Sequence, residues 1–236
     1  MGTLMAKDVI IALDFPGESE VMSFLDLFDG EKPYVKIGME LYYALGPSVI
    51  SEIKKRGHKI FLDLKLHDIP NTVKSAMAVL SRLDVDMTNL HASGGSKMME
   101  AAIEGLTRPD GSRPLLIAVT QLTSTSQKML EEDLLIREPM ESVVSHYAKR
   151  AAACGLDGVV CSPLEAGDVK AACGASFLTV TPGVRFADGQ SLDQVRVTTP
   201  ARAREIGSDY IVVGRPITRA DDPVAQYRRA VAEFLG

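Results

Sequence analysis

The 236-residue chain has only three cysteines, no excess of positive charge, no long apolar run and no block of like charges. Cys154, Cys161 and Cys173 form no C-x-x-C pair and no zinc-ligand spacing. Their odd number fits reduced thiols and a cytoplasmic setting, and three small buried hydrophobes is the simplest reading of them. With 26 basic against 31 acidic residues, nonspecific binding of nucleic acid is not expected, because that needs a basic surface. An anionic small ligand stays open, since a few local Lys or Arg side chains and backbone N–H groups hold one phosphate. The first apolar run, Val9–Leu13, is too short for a signal-peptide core or a membrane span. Gly2 is not followed by Ser or Thr at position 6, so myristoylation is not expected either.

Nor is there a linker or a low-complexity tract, so the chain reads as one unit over residues 1–236. What is there is a repeat of short β-rich runs. They are Val9–Leu13, Tyr34–Gly38, Lys59–Leu66, Met87–His91, Leu115–Leu122, Gly158–Cys161, Phe177–Thr181 and Tyr210–Gly214. Their starts recur about every 29 residues, the length of one βα unit. Near-continuous apolar strands suit a parallel sheet covered on both faces. Helical patterns fill the gaps over Ser19–Phe28, Pro47–Lys55, Ile69–Leu83, Ser96–Leu106, Met140–Cys154, Pro163–Cys173, Pro200–Ile206 and Pro223–Leu235. Eight alternations predict an α/β fold, a (β/α)8 TIM barrel in a single domain. An open doubly wound sheet is the competitor, but no G-x-G-x-x-G follows the first strand. The long weakly structured stretch Gly183–Thr199 is expected to be a functional lid.

In such a barrel the chemistry sits at the carboxyl ends of the strands. The polar residues there are Asp14, Lys36, Asp63, Lys65, Asp68, His91, Thr123, Arg185 and Arg215. Residues two apart on a strand share a face, so Asp63 and Lys65 are expected to point into the mouth, with Leu62, Leu64 and Leu66 opposite. Buried charges are costly unless paired, and Lys36 on the next strand supplies a second cation. A plain interior ion pair is the bland alternative; Lys36, Asp68 and a phosphate site nearby weigh against it. Gly214-Arg215, with Pro182-Gly183 and Arg185, reads as a phosphate clamp after strands seven and eight, rather than a turn with a solvated Arg. His91 stays ambiguous between a base and a hydrogen-bonded interior histidine, and His58, His67 and His146 read as surface or structural. No His/Asp/Glu set has metal-ligand spacing, and the G-x-S-x-G elbow of a hydrolase is missing.

The segments DLKLHDIPNT, YVKIG, LTSTS, TPGVR and VVGRPI together resemble the orotidine 5′-monophosphate decarboxylase family in its bacterial form, along the whole chain from Asp14 to Arg215 and with no departure at a motif position. The D-x-K-x-x-D core alone also occurs in related phosphosugar barrels. The resemblance implies loss of CO2 from orotidine monophosphate to give UMP, the last step of de novo pyrimidine synthesis, with no cofactor and no metal. It implies that Lys36, Asp63, Lys65 and Asp68 form a charge array in which Lys65 protonates C6. It places Asp14 and Lys36 on the ribose, Thr123 and Ser126 near the pyrimidine, Arg185, Gly214 and Arg215 on the phosphate, and Pro182 among the substrate-binding residues. Gln194 on the lid would bridge phosphate and base. The family is a homodimer in which Asp68, Ile69 and Thr72 enter the partner subunit's site. Three other readings carry distinct signatures. A metal-dependent sugar-phosphate decarboxylase or epimerase needs a further carboxylate. A Schiff-base aldolase would trap on Lys65 or Lys36, and a noncatalytic phosphate-binding barrel would bind UMP without releasing CO2.

Overall fold

The computed structural model describes residues 7–188 and 198–236, so Gln194 and the centre of the expected lid lie outside the described residues. The strands are β1 (Asp8–Ala12), β2 (Tyr34–Gly38), β3 (Ile60–Leu66), β4 (Met87–His91), β5 (Leu115–Val119), β6 (Gly158–Val160), β7 (Leu178–Pro182) and β8 (Tyr210–Val213). They pair in sequence order, all parallel, and β8 closes the barrel against β1. Around them lie α1 (Glu18–Asp26), α2 (Met39–Leu45), α3 (Ser48–Lys55), α4 (Pro70–Leu80), α5 (Ser96–Leu106), α6 (Gln127–Glu132), α7 (Met140–Ala153), α8 (Ala166–Cys173), α9 (Pro200–Ile206), α10 (Arg215–Thr218) and α11 (Pro223–Leu235). The expected (β/α)8 barrel is therefore the fold, and the doubly wound sheet is not.

Both faces of the strands are buried. Ile10, Ala12, Phe61, Met87, Ile117, Val180 and Val212 fill the interior, while Ile11, Val35, Leu62, Leu90, Leu116 and Val213 belong to the layer beneath the helices. That two-sided burial is why the strands read as apolar runs instead of strict alternations. Helix starts follow local chemistry. Pro70, Pro200 and Pro223 stand in first turns, where a missing N–H costs nothing. The side chains of Thr199 and Asp222 accept from the N–H groups of Arg202 and Ala225.

Some boundaries move for physical reasons. The strand expected to reach Leu122 stops at Val119; the Thr120 N–H makes the last ladder bond, to the Val160 carbonyl, which the Thr120 hydroxyl also bonds. The helix expected from Ile69 starts at Pro70; the residue before a proline is held extended, and Ile69 sits at φ −58°, ψ 151°. The short helices α2, α6 and α10, of seven, six and four residues, are not among the expected ones. The neck of the loop beyond β7 is closed. Val184 bridges Thr198, the Arg185 N–H donates to the Thr198 carbonyl at 2.9 Å, and the Thr198 N–H donates to Gly183 at 3.1 Å. Gly183 has φ +83°, a conformation that suits glycine. Among the described residues no helix is long and apolar enough to cross a membrane.

Candidate active site

Lys36 sits on β2 opposite Ala12 of β1 and Phe61 of β3, both interior positions, so its side chain rises inside the mouth. Its Nζ lies 3.1 Å from Asp14 Oδ1 and 3.5 Å from Asp63 Oδ2. Lys65 Nζ lies 2.7 Å from Asp63 Oδ1. The result is a chain of alternating charge, Asp14–Lys36–Asp63–Lys65. The Asp63 side chain is 10% exposed and that of Asp14 is 59% exposed, so the inner carboxylate is desolvated and the outer one is wet. Burial pushes the Asp63 carboxyl up, but the charges of Lys36 and Lys65 and the hydrogen bonds from Lys65 and Asn89 outweigh it and hold the group below its ordinary value. Gly38 makes room for this packing. A Cβ there would lie 3.0 Å from the Lys36 ammonium and 3.4 Å from Asp14 Oδ1.

Simple alternation on β3 is not how Lys65 reaches Asp63. The register runs Phe61↔Met87, Leu62↔Thr88 and then Leu66↔Leu90, so Asp63, Leu64 and Lys65 stand against the single residue Asn89. Lys65 takes the left-handed conformation, φ +52°, which costs a non-glycine residue roughly 1–2 kcal/mol. Leu62, Leu64 and Leu66 do pack toward the helices as expected, but a bulge, not a regular pleat, delivers Lys65.

Two cavities open above this floor and share Lys36, Pro182 and Val212. The larger, about 650 Å³, is lined by Lys36, Arg185, Arg215 and Arg219 against Asp14 and Glu40, with Gly183 and Gly214 beside them, so cations are in excess. The smaller, about 320 Å³, is lined by Phe61, Asp63, Lys65, Val119, Thr123 and Val160 among others, a charged floor with apolar walls. The arrangement suits a two-part ligand, with an anionic end in one lobe and a flat, partly polar ring in the other.

Nine residues singled out in the sequence therefore meet: Asp14, Lys36, Asp63, Lys65, Thr123, Pro182, Arg185, Gly214 and Arg215. Others do not. Asp68 is exposed and accepts from the Ile69 N–H at 2.6 Å; within one chain it does not join the array. With Thr72, Tyr43 and the other side of Lys65 it lines a separate opening of about 310 Å³, beside an Ile69 that is 67% exposed. Ser126 does not itself line the ring lobe, though Ser124 two residues before it does; its hydroxyl accepts from the Met129 N–H and caps α6. His58 is buried with Nδ1 against the Pro33 carbonyl at 2.9 Å, a structural role, and His146 is exposed. His91 and His67 lie ring to ring at 5.6 Å, and burial, then the nearby charges of His67 and Lys65, hold His91 below the usual histidine value. Cys161 is buried, Cys154 and Cys173 are half-buried, and no disulfide joins them. Among the described residues no group of three or more His, Cys, Asp or Glu converges as a metal would require. Sequence reasoning missed Asn89, Gly38 and Arg219. A clue to Asn89 was visible, a lone amide within the buried strand Met-Thr-Asn-Leu-His.

Comparison with known proteins agrees with this geometry. The model of the orotidine 5′-phosphate decarboxylase / HUMPS family matches residues 7–230. The chain is 60% identical over 235 residues to the orotidine 5′-phosphate decarboxylase of Geobacillus thermodenitrificans, covering 98% of each. It is 57% identical to that of Bacillus cytotoxicus, covering 98% of this chain and 99% of the relative. Among solved structures, the orotidine 5′-phosphate decarboxylase of Lactobacillus acidophilus superposes with a TM-score of 0.86 at 44% identity, over 98% of this chain and all of that one. An uncharacterized conserved protein from Geobacillus kaustophilus superposes with a TM-score of 0.85 at 52% identity, over 96% of this chain and 99% of that one.

Proposed function

This chain belongs to the orotidine 5′-phosphate decarboxylase / HUMPS family, and on that premise we propose how its site works. The chain is a carbon–carbon lyase that removes CO2 from orotidine 5′-monophosphate to leave UMP, a step of pyrimidine biosynthesis. In our reading it does so with side chains alone. Breaking the bond from C6 to its carboxylate leaves an electron pair in the plane of the ring, where the π system cannot spread it. Many decarboxylases recruit a cofactor as electron sink. Here a preorganised ammonium in a low-dielectric mouth takes that role.

The observation that carries the reading is Asp63 held between the ammonium groups of Lys36 and Lys65 on the floor of the ring lobe. Lys65 is aimed at C6, stabilises the developing pair and then transfers a proton from Nζ to it, closing the new C–H bond. The neutral amine regains its proton from solvent after product leaves. Asp63 faces the departing carboxylate, so the like charges raise the ground state. Asp14 and Lys36 hold the ribose, Thr123 and Pro182 border the pyrimidine, and Arg185, Gly214 and Arg215 take the phosphate. Phosphate binding is remote from the bond that breaks, yet its energy organises the array and lowers the barrier. Gln194 keeps its role as bridge on resemblance alone. In a homodimer Asp68, Ile69 and Thr72 of each subunit reach across to the partner's site; the exposure of Asp68 and Ile69 beside the third opening supports this. We assign the enzyme to the cytoplasm, where its reduced thiols fit.

The test follows absorbance while metal-free protein meets orotidine 5′-monophosphate or orotidine, with and without EDTA. The expected result is fast turnover of the nucleotide, indifferent to chelator, and turnover of the phosphate-free nucleoside at least about 100-fold poorer in kcat/KM. Inhibition by EDTA restored by Mg²⁺ would instead identify a metal-dependent barrel, and equal use of both substrates would remove the phosphate role of Arg185 and Arg215.

A further inference from the structure

The structure assigns Asn89 as a positioning residue for Lys65, acting through the β3 bulge; the inference rests on the proposed role of Lys65 as the acid. Asn89 lies on β4, one step above the interior Met87, and is fully buried. Opposite it β3 spends three residues where β4 spends one, so the regular ladder is interrupted between Leu62 and Leu66. The Asn89 side chain takes over the missing pairing. Its Oδ1 accepts from the Lys65 backbone N–H at 2.8 Å, and its Nδ2 donates to Asp63 Oδ1 at 2.7 Å.

Only one orientation of the amide satisfies both neighbours, since a backbone N–H needs an acceptor and an ionised carboxylate needs a donor. The contacts close a ring. Asp63 Oδ1 receives both the Asn89 amide and Lys65 Nζ, the latter at 2.7 Å, and the Lys65 backbone returns to Asn89. One side chain thus stabilises the left-handed Lys65 backbone and fixes the rotation of the carboxylate that its ammonium faces. Such strain persists only where the surroundings over-determine it, and Asn89 is the polar group that does so from the neighbouring strand. It does not line either lobe of the substrate cavity. It therefore works through Lys65 and Asp63, never on substrate directly.

Two variants test this. Asn89→Leu keeps the size and removes both hydrogen bonds. Asn89→Asp keeps an acceptor for the Lys65 N–H and donates to Asp63 only when protonated. The charged groups around this point are Asp63, Lys65, Lys36, Asp14 and the His67–His91 pair. For Asn89→Leu the expected result is a kcat lower by about 100-fold with KM changed by less than about threefold, the mark of lost positioning. For Asn89→Asp the ratio of variant to parent kcat rises as the pH falls from 8 to 5.5, because the protonated acid copies the amide. A merely structural role would not create that pH dependence. The crystal structure of Asn89→Leu reads the same claim without turnover, with Lys65 leaving the left-handed region. Near-parental kcat in Asn89→Leu, a flat ratio across pH in Asn89→Asp, or an unchanged Lys65 backbone would each overturn the assignment. If the parent itself releases no CO2, the function fails while the backbone readout still decides the role of Asn89.

Discussion

The two ends of the barrel use the same residue types for opposite purposes. At the amino end, Asp86, Asp157 and Asp209 stand immediately before β4, β6 and β8. Each carboxylate accepts from an N–H at the start of the preceding strand: Ile60 at 2.7 Å, Leu116 at 2.7 Å and Thr179 at 2.8 Å. Each also meets one principal cation, respectively Lys54 at 3.0 Å, Arg113 and Lys170 at 2.5 Å. The motif is repeated three times, on consecutive β–α–β–α pairs, and the carboxylate is occupied by protein. At the carboxyl end, Asp63 lies between two ammonium groups, beside a left-handed backbone, and faces a cavity. Pairing alone is therefore not a sign of function. Strain, an excess of nearby cations and an opening to solvent separate the working cluster from the latches that hold strands in place.

The largest effect should come from removing the working cation. Lys65→Ala should lower turnover of orotidine 5′-monophosphate by about 10³–10⁴-fold or more, with the thermal midpoint nearly unchanged. Steady-state rates and melting curves of the same preparation measure both, and residual activity near the parent level would erase the contrast between the two ends. The converse change is Asp209→Ala, which leaves Lys170 without its buried carboxylate and the Thr179 N–H without its acceptor, while the Thr179 hydroxyl keeps only the Gly207 carbonyl. It should cost about 3 kcal/mol of unfolding free energy, read from denaturant midpoints, while kcat of the folded fraction holds. A large fall in kcat there would show that the amino-end latches also govern the site.

The smallest effect concerns histidine. Burial holds both His58 at the amino end and His91 at the mouth below the ordinary histidine value. A depressed value favours the neutral ring in the folded state. Each therefore contributes stability that is complete above the unfolded value of about 6.5 and is lost as the pH falls from there through the folded value. Melting temperatures between pH 7.5 and 5 should fall for the parent and fall less for His58→Gln and for His91→Gln. If the variants follow the parent slope, other groups carry the acid sensitivity of both ends.

Much of the site was legible because its residues cluster in sequence. The D-x-K run on β3 and the Gly-Arg after β8 sit toward strand ends, the strand-two lysine points its long side chain into the same mouth, and the order of strands in a barrel brings these together. The capping role of Ser126 was not legible, because a hydroxyl in a loop looks the same whether it faces a ligand or caps a helix, and α6 is too short to announce itself. Asp68 could not be placed in the array of its own chain, since its partner in the resemblance belongs to a second subunit. Asn89 was missed because its importance lies in what stands opposite, and a period of two presumes that nothing is inserted.

Apolar periodicity by itself determined the eight-stranded barrel, since two-sided burial of every strand leaves its mark residue by residue. The identities of the charged groups at the mouth were equally written in the chain. Only the tertiary structure decided how they meet. A bulge two residues longer than its neighbour turned Lys65 into the left-handed region, and an amide from the next strand held it there. That choice depends on the register between strands, and register is a property of the paired sheet that no single segment carries.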